Sequence, residues 1–139
     1  MVNTINMQDM RHLNLFSNIT KVPTRFCFKY SDTIFFCVPM KSLQKALGEN
    51  ASNIKRLSQM MGKRVRVIPK PNGIEDARRF IELIVSPSVF KDFEIRGNEI
   101  IITAGGTQNK ANLMGRNKVK LSEIQKVSMD FFEKELKII

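Results

Sequence analysis

Tryptophan is absent, and the 139 residues contain one tyrosine, one histidine and two cysteines. So few polar aromatics leave little for a flat platform on which bases could stack, and most of the ten phenylalanines fall on positions that alternation assigns to a core. His12, Cys27 and Cys37 are too few for a four-ligand zinc site, and no metal or cofactor is expected. A Cys–His nucleophilic pair is possible by count, but neither cysteine stands in a catalytic context. His12 reads as an ordinary residue of an N-terminal helix, and both cysteines as small apolar groups. Long apolar runs are missing too: Ile100-Ile101-Ile102 and Phe131-Phe132 are far too short to cross a bilayer. Asn3, Asn6, Gln8 and Asp9 interrupt the N-terminus, which does not read as a signal peptide. A soluble, cytoplasmic monomer without membrane association is the expectation.

Positive charge is what the chain has in excess. Its 23 Lys and Arg against 13 Asp and Glu give +10. That favours a polyanionic partner, nucleic acid ahead of membrane, over a merely well-solvated basic surface. Residues 1–70 hold 12 basic and 3 acidic side chains, residues 71–139 hold 11 and 10. Long-range attraction should therefore originate in the first half.

Pro69-Lys70-Pro71-Asn72-Gly73 is a short, stiff interruption that divides the chain into residues 1–70 and 71–139. Each half repeats one order of elements. In the first, Met10, Leu13 and Phe16 mark a helix face. Strands follow over 25–30 and 34–38 with Ser31-Asp32-Thr33 as the turn, so that Phe26, Phe28 and Tyr30 oppose Val38, Phe36 and Ile34 on one buried face. That register sets Cys27 directly across from Cys37, as reduced thiols. Helices over about 40–47 and 51–61 precede a basic strand over 63–68. In the second half Ile74, Ala77, Ile81 and Ile84 mark a helix face. Strands over 89–96 and 99–103 meet at Gly97-Asn98, with Phe93 and Ile95 opposite Ile102 and Ile100. Helices over about 107–114 and 118–132 and a last strand over 136–139 complete the order.

The repeat is also literal. Gly48-Glu49-Asn50-Ala51, then Ile54 and Leu57, recurs 67 residues later as Gly115-Arg116-Asn117-Lys118, then Leu121 and Ile124. Two copies, each after a hairpin and a helix, carry far more weight than one. Helix, strand, strand, helix, GxxG-like loop, helix, strand is the element order of a type II KH domain, and Leu47–Leu57 resembles the KH signature apart from its second glycine. Two such modules within one short chain resemble the archaeal NusA transcription termination factors over essentially the whole length. The resemblance implies an α/β (α+β) fold of two tandem modules, each a three-stranded sheet with helices packed on one face. It further implies binding of single-stranded RNA in transcription termination or elongation control, with RNA polymerase as a further partner.

The chemistry attached to the loop is specific. A glycine ends one helix in a backbone conformation costly for other residues. The next helix starts at once, so its amides and positive dipole end face a phosphate, while KH modules lay bases in an adjacent apolar groove. The candidate RNA-contacting residues are Lys45, Gly48, Glu49, Asn50, Ala51, Lys55 and Arg56 in the first module, and Gly115, Arg116, Asn117, Lys118 and Lys120 in the second. Both loops depart from GxxG. Ala51 is small, Glu49 opposes phosphate, and Lys118 either blocks approach or adds an ionic contact. Ile54, Leu57 and Met61 read as core.

Other functions remain open at this point. Type II KH modules also serve translation and ribosome biogenesis, and degenerate loops occur in scaffolds that no longer bind RNA. Ala104-Gly105-Gly106-Thr107 lacks the Lys-Ser/Thr ending of a Walker motif, and Thr107 reads as an N-cap. No clustered acids or triad elements point to catalysis, so the chain is not expected to be an enzyme.

Overall fold

A computed structural model describes residues 7–139; Asn3 and Asn6, part of the signal-peptide argument, lie outside the described residues. The described residues up to Lys70 form one compact unit and those from Pro71 onward another. No helix among them is long and apolar enough to cross a membrane.

The first unit runs α1 (Met7–Thr20), β1 (Phe26–Tyr30), β2 (Thr33–Val38), α2 (Leu43–Leu47), α3 (Ser52–Met61) and β3 (Arg64–Pro69). Its sheet has the order β1-β2-β3, antiparallel then parallel. The core forms where Phe16 of α1, Ala46 of α2 and Leu57 of α3 meet Ile34, Phe36, Val38 and Val65 of the sheet, with Ile54 and Met61 packed against the cluster. Phe16 and Phe36 stack with ring centroids 4.3 Å apart. Met10, expected on the α1 face, is exposed. The buried line runs instead from Phe16 to Thr20, whose hydroxyl donates to the Phe16 carbonyl at 2.8 Å and accepts from the Val22 amide at 3.1 Å.

The first hairpin differs from expectation by one residue. Its turn is Ser31-Asp32, both left-handed at φ 52 and 59, and Thr33 is already paired with Tyr30. Phe28 therefore faces Phe35, Phe26 faces Cys37, and Cys27 faces Phe36. A two-residue turn with both residues at positive φ matches strand twist better than a three-residue one, and the slip turns the β1 side chains over, so that Cys27 and not Phe26 or Phe28 shares the face of Ile34, Phe36 and Val38. The alternation meant to bury one face also fails, because β2 is buried throughout. On the face away from the helices, Phe35 stacks on Phe28 at 5.1 Å, meets Tyr30 edge-on and lies under the Arg66 guanidinium at 5.2 Å.

The second unit runs α4 (Ala77–Val85), β4 (Asp92–Arg96), β5 (Glu99–Thr103), α5 (Thr107–Met114), α6 (Val119–Phe132) and β6 (Glu135–Ile138), again with a sheet antiparallel then parallel in the order β4-β5-β6. Phe93 pairs with Ile102 and Ile95 with Ile100, the expected register, with Gly97 at φ 60 in the turn. Three local expectations give way. Ile74 lies in a 3-10 turn before α4, and Phe80 and Val85 are buried instead. Val89 precedes β4 and is exposed, and its carbonyl accepts from Asn109 Nδ2. Gly106, not Thr107, occupies the cap of α5. Phe80 packs on Phe131 at 4.8 Å and Phe132 at 5.9 Å. The fold is thus mixed α/β, two three-stranded sheets each with three helices in its unit.

Cys27 and Cys37 are both free thiols and, in the observed register, belong to opposite faces of the sheet, which corrects the expected direct pairing. Burial pushes Cys27 from its ordinary 9.0 up to about 12 and raises Cys37 as well. Folding therefore favours the protonated thiols: their contribution is complete below about pH 9 and is lost as pH rises above it. Denaturant melts from pH 8 to 11 should show stability falling above pH 9, with a shallower fall in Cys37→Ala; an unchanged slope would refute the assignment. Mild oxidation should leave both thiols free, as judged by alkylation after unfolding.

Candidate nucleic-acid interface

Each loop begins with a glycine that ends a helix. Gly48 closes α2 at φ 77, ψ 173, and Gly115 closes α5 at φ 75, ψ 174. Their amides donate to the carbonyls of Gln44 at 3.1 Å and Ala111 at 3.0 Å. A Cβ at Gly48 would lie 2.9 Å from Asn53 Nδ2 and Ser52 Oγ, and one at Gly115 would lie 2.7 Å from Lys120 Cγ. The residue five positions on crosses over the glycine and reaches back to the end of the preceding helix. Asn53 Nδ2 donates to the Lys45 and Ala46 carbonyls at 3.3 and 3.2 Å, and Lys120 Nζ donates to the Asn112 carbonyl at 3.4 Å. These partners satisfy helix-end carbonyls that would otherwise need water. The sequence signal for Asn53 is its alignment with Lys120 under the 67-residue repeat. Lys120, an expected RNA contact, ties α5 to α6 through its ammonium.

Two left-handed residues follow in each copy. Asn50 lies at φ 54, ψ 34 and Ala51 at φ 58, ψ 30; Asn117 lies at φ 55, ψ 27 and Lys118 at φ 60, ψ 27. The second helix of each pair therefore does not start at once, as expected, but after a single 3-10 turn. Within that turn the Ala51 amide donates to the Gly48 carbonyl at 3.2 Å and the Lys118 amide to the Gly115 carbonyl at 3.1 Å. The Ser52 and Val119 amides bond back to Glu49 and Arg116. The amides of Ala51, Ser52, Lys118 and Val119 are thus engaged inside the loops and are not free for a phosphate. Asparagine accepts this conformation with little cost, whereas alanine and lysine accept it at roughly 1–2 kcal/mol each. The position where KH loops carry their second glycine is thus one where glycine is the unstrained choice.

The charges around the two loops are arranged differently. Lys45, Lys55 and Arg56 are exposed beside the first loop, together with Glu49 and Asn50. Under the repeat, Lys55 and Arg56 correspond to Ser122 and Glu123, but Arg116 and Lys118 stand, exposed, within the second loop itself. Among the described residues no ion pair engages Lys45, Lys55, Arg56, Arg116 or Lys118. Each unit thus carries exposed cations within or beside its own loop. Ile54 and Met61 face the core, as expected.

No protein-family model matches the chain. Over 100 residues, 70% of its length, it is 24% identical to a protein of Methanococcus vannielii named "Probable transcription termination protein NusA", and the match spans 56% of that relative. The crystal structure of APE1850 superposes with a TM-score of 0.63 at 20% identity, covering 97% of this chain and all of that one. The chain shares that protein's fold.

Relief of the left-handed strain is measurable. Ala51→Gly and Lys118→Gly should each stabilise the protein by about 1 kcal/mol in denaturant melts. Gly115→Ala should destabilise it by more than 1 kcal/mol, since positive φ and the clash with Lys120 act together. Neutral results for all three would contradict the loop geometry.

Proposed function

We propose that this chain binds single-stranded RNA through the Gly48–Ala51 and Gly115–Lys118 loops and acts in the control of transcription termination or elongation. The observation that carries the reading is the recurrence of one costly backbone, dihedral for dihedral, between two helices of both units. A strained conformation kept twice with different side chains points to use of the backbone shape. The exposed cations within or beside each loop supply the counter-charge for phosphate, and preference for a single strand follows from the KH resemblance, in which unpaired bases lie beside the loop. The name of the M. vannielii relative supports a setting in transcription, with RNA polymerase as a further partner. In this reading the chain is a cytoplasmic, monomeric binding protein and not an enzyme.

The first loop works through helix-borne Lys55 and Arg56 against Glu49, the second through loop-borne Arg116 and Lys118. A bound strand displaces counterions, so affinity should fall by roughly a hundredfold or more between ~50 and ~200 mM salt. Ala51→Asp and Lys118→Asp place a carboxylate at each helix N-terminus without removing core volume, and aspartate tolerates the left-handed region. Each should weaken binding in fluorescence-anisotropy titrations, and the pair should abolish it with melting curves still cooperative. Unchanged affinity of a folded double variant, or equal affinity for duplex and single-stranded RNA, would overturn the proposal. Co-purification with ribosomal subunits instead of RNA polymerase would keep RNA binding and move its setting to translation.

A further inference from the structure

The observed hairpin register turns Cys27 toward the face that α1 covers. Asp9 and His12 sit three residues apart on α1, hence on one helix face. Cys27, in register with Phe36, packs against the helix-covered core of the first unit. A carboxylate oxygen of Asp9, a ring nitrogen of His12 and the Cys27 sulfur all lie within 4.8 Å of one another. His12 Nδ1 is buried and has no hydrogen-bond partner. An orphaned imidazole nitrogen is a cost that folding leaves standing unless something else satisfies it.

We propose that Asp9, His12 and Cys27 form a binding site for a divalent transition-metal ion, with zinc the best match. Oxygen, nitrogen and sulfur donors together suit an ion of borderline softness and disfavour magnesium or calcium, which take oxygen alone. Tetrahedral ligands at zinc distances stand roughly 3.4–3.8 Å apart, so small rotations of Asp9 and His12 about an otherwise fixed helix close the set. A ligating imidazole must be neutral at neutral pH, and burial and Lys63 both lower the His12 pKa against the opposing pull of Asp9. The Cys27 thiol is protonated there, and binding exchanges its proton for the metal–sulfur bond, releasing one H⁺ per ion. The thiolate and the Asp9 carboxylate then balance the two positive charges, with Lys63 as the nearby opposing cation. Three protein donors leave a fourth tetrahedral position for water, so the ion should exchange more readily than one in a closed four-ligand site. It would tie α1 to β1.

The test uses untagged full-length protein, stripped with chelator and kept reduced, titrated with cobalt(II) and then zinc. One equivalent of cobalt should produce a near-ultraviolet thiolate-to-metal band that zinc abolishes. The band should persist in C37S and vanish in C27S. H12Q and D9N, changes at half-buried positions of α1, should weaken zinc binding at least about tenfold, and zinc should raise the melting temperature of the unsubstituted protein but not of H12Q. Absence of the band, its survival in C27S, or equal zinc affinity in H12Q and the unsubstituted protein would overturn the site. If C27S does not fold, H12Q and D9N decide by the same measurements.

Discussion

The missing Cβ at Gly48 and at Gly115 is the constraint on which both loops depend. Only a hydrogen there leaves room for the side chain five residues on to cross and hold the carbonyls of the preceding helix. That crossing fixes the end of one helix relative to the start of the next, and it forces the intervening residues into a turn tight enough to need two left-handed conformations. The first is met by asparagine in both copies. The second falls on alanine in one and lysine in the other, where the surrounding contacts, not local preference, hold the chain.

With the backbone so determined, the two copies are free to differ in side chains. In the first the cations stand on the following helix and the loop carries an acid. In the second the loop carries the cations and the helix carries Ser122 and Glu123. Exposed cations near a helix N-terminus act over about a Debye length, ~8 Å at physiological salt, so either placement brings positive potential to the same stretch of backbone. The crossing residue shows the same freedom. Asn53 does with an amide what Lys120 does with an ammonium.

Element order was legible because helical periodicity and turn residues agree over both halves, and the 67-residue recurrence tied them together. The second hairpin could be registered from Gly97-Asn98 and from β4, whose apolar residues Phe93 and Ile95 are confined to alternate positions. The first could not. Thr33-Ile34-Phe35-Phe36-Cys37-Val38 is buried on both faces, so a slip of one residue leaves an equally apolar pattern, and Ser31 and Asp32 do not announce positive φ as glycine does. The misplaced Cys27 then hid its neighbours, since its contact with α1 exists only in the true register. At the loops the glycines and the basic residues were legible, while the left-handed state of Ala51 and Lys118 was not, because neither residue prefers it.

Tyr30 is the single tyrosine, tryptophan is absent, and the ring is buried edge-on to Phe35 in the first unit. Intrinsic fluorescence excited at wavelengths beyond phenylalanine absorption therefore reports on that unit alone, whereas far-ultraviolet dichroism sees the helices of both. The molecule carries its own optical label on one half. Comparing the two signals through a melt distinguishes one cooperative transition from two without any added probe, and the native aromatic content makes each later fluorescence change on ligand addition assignable to the first unit.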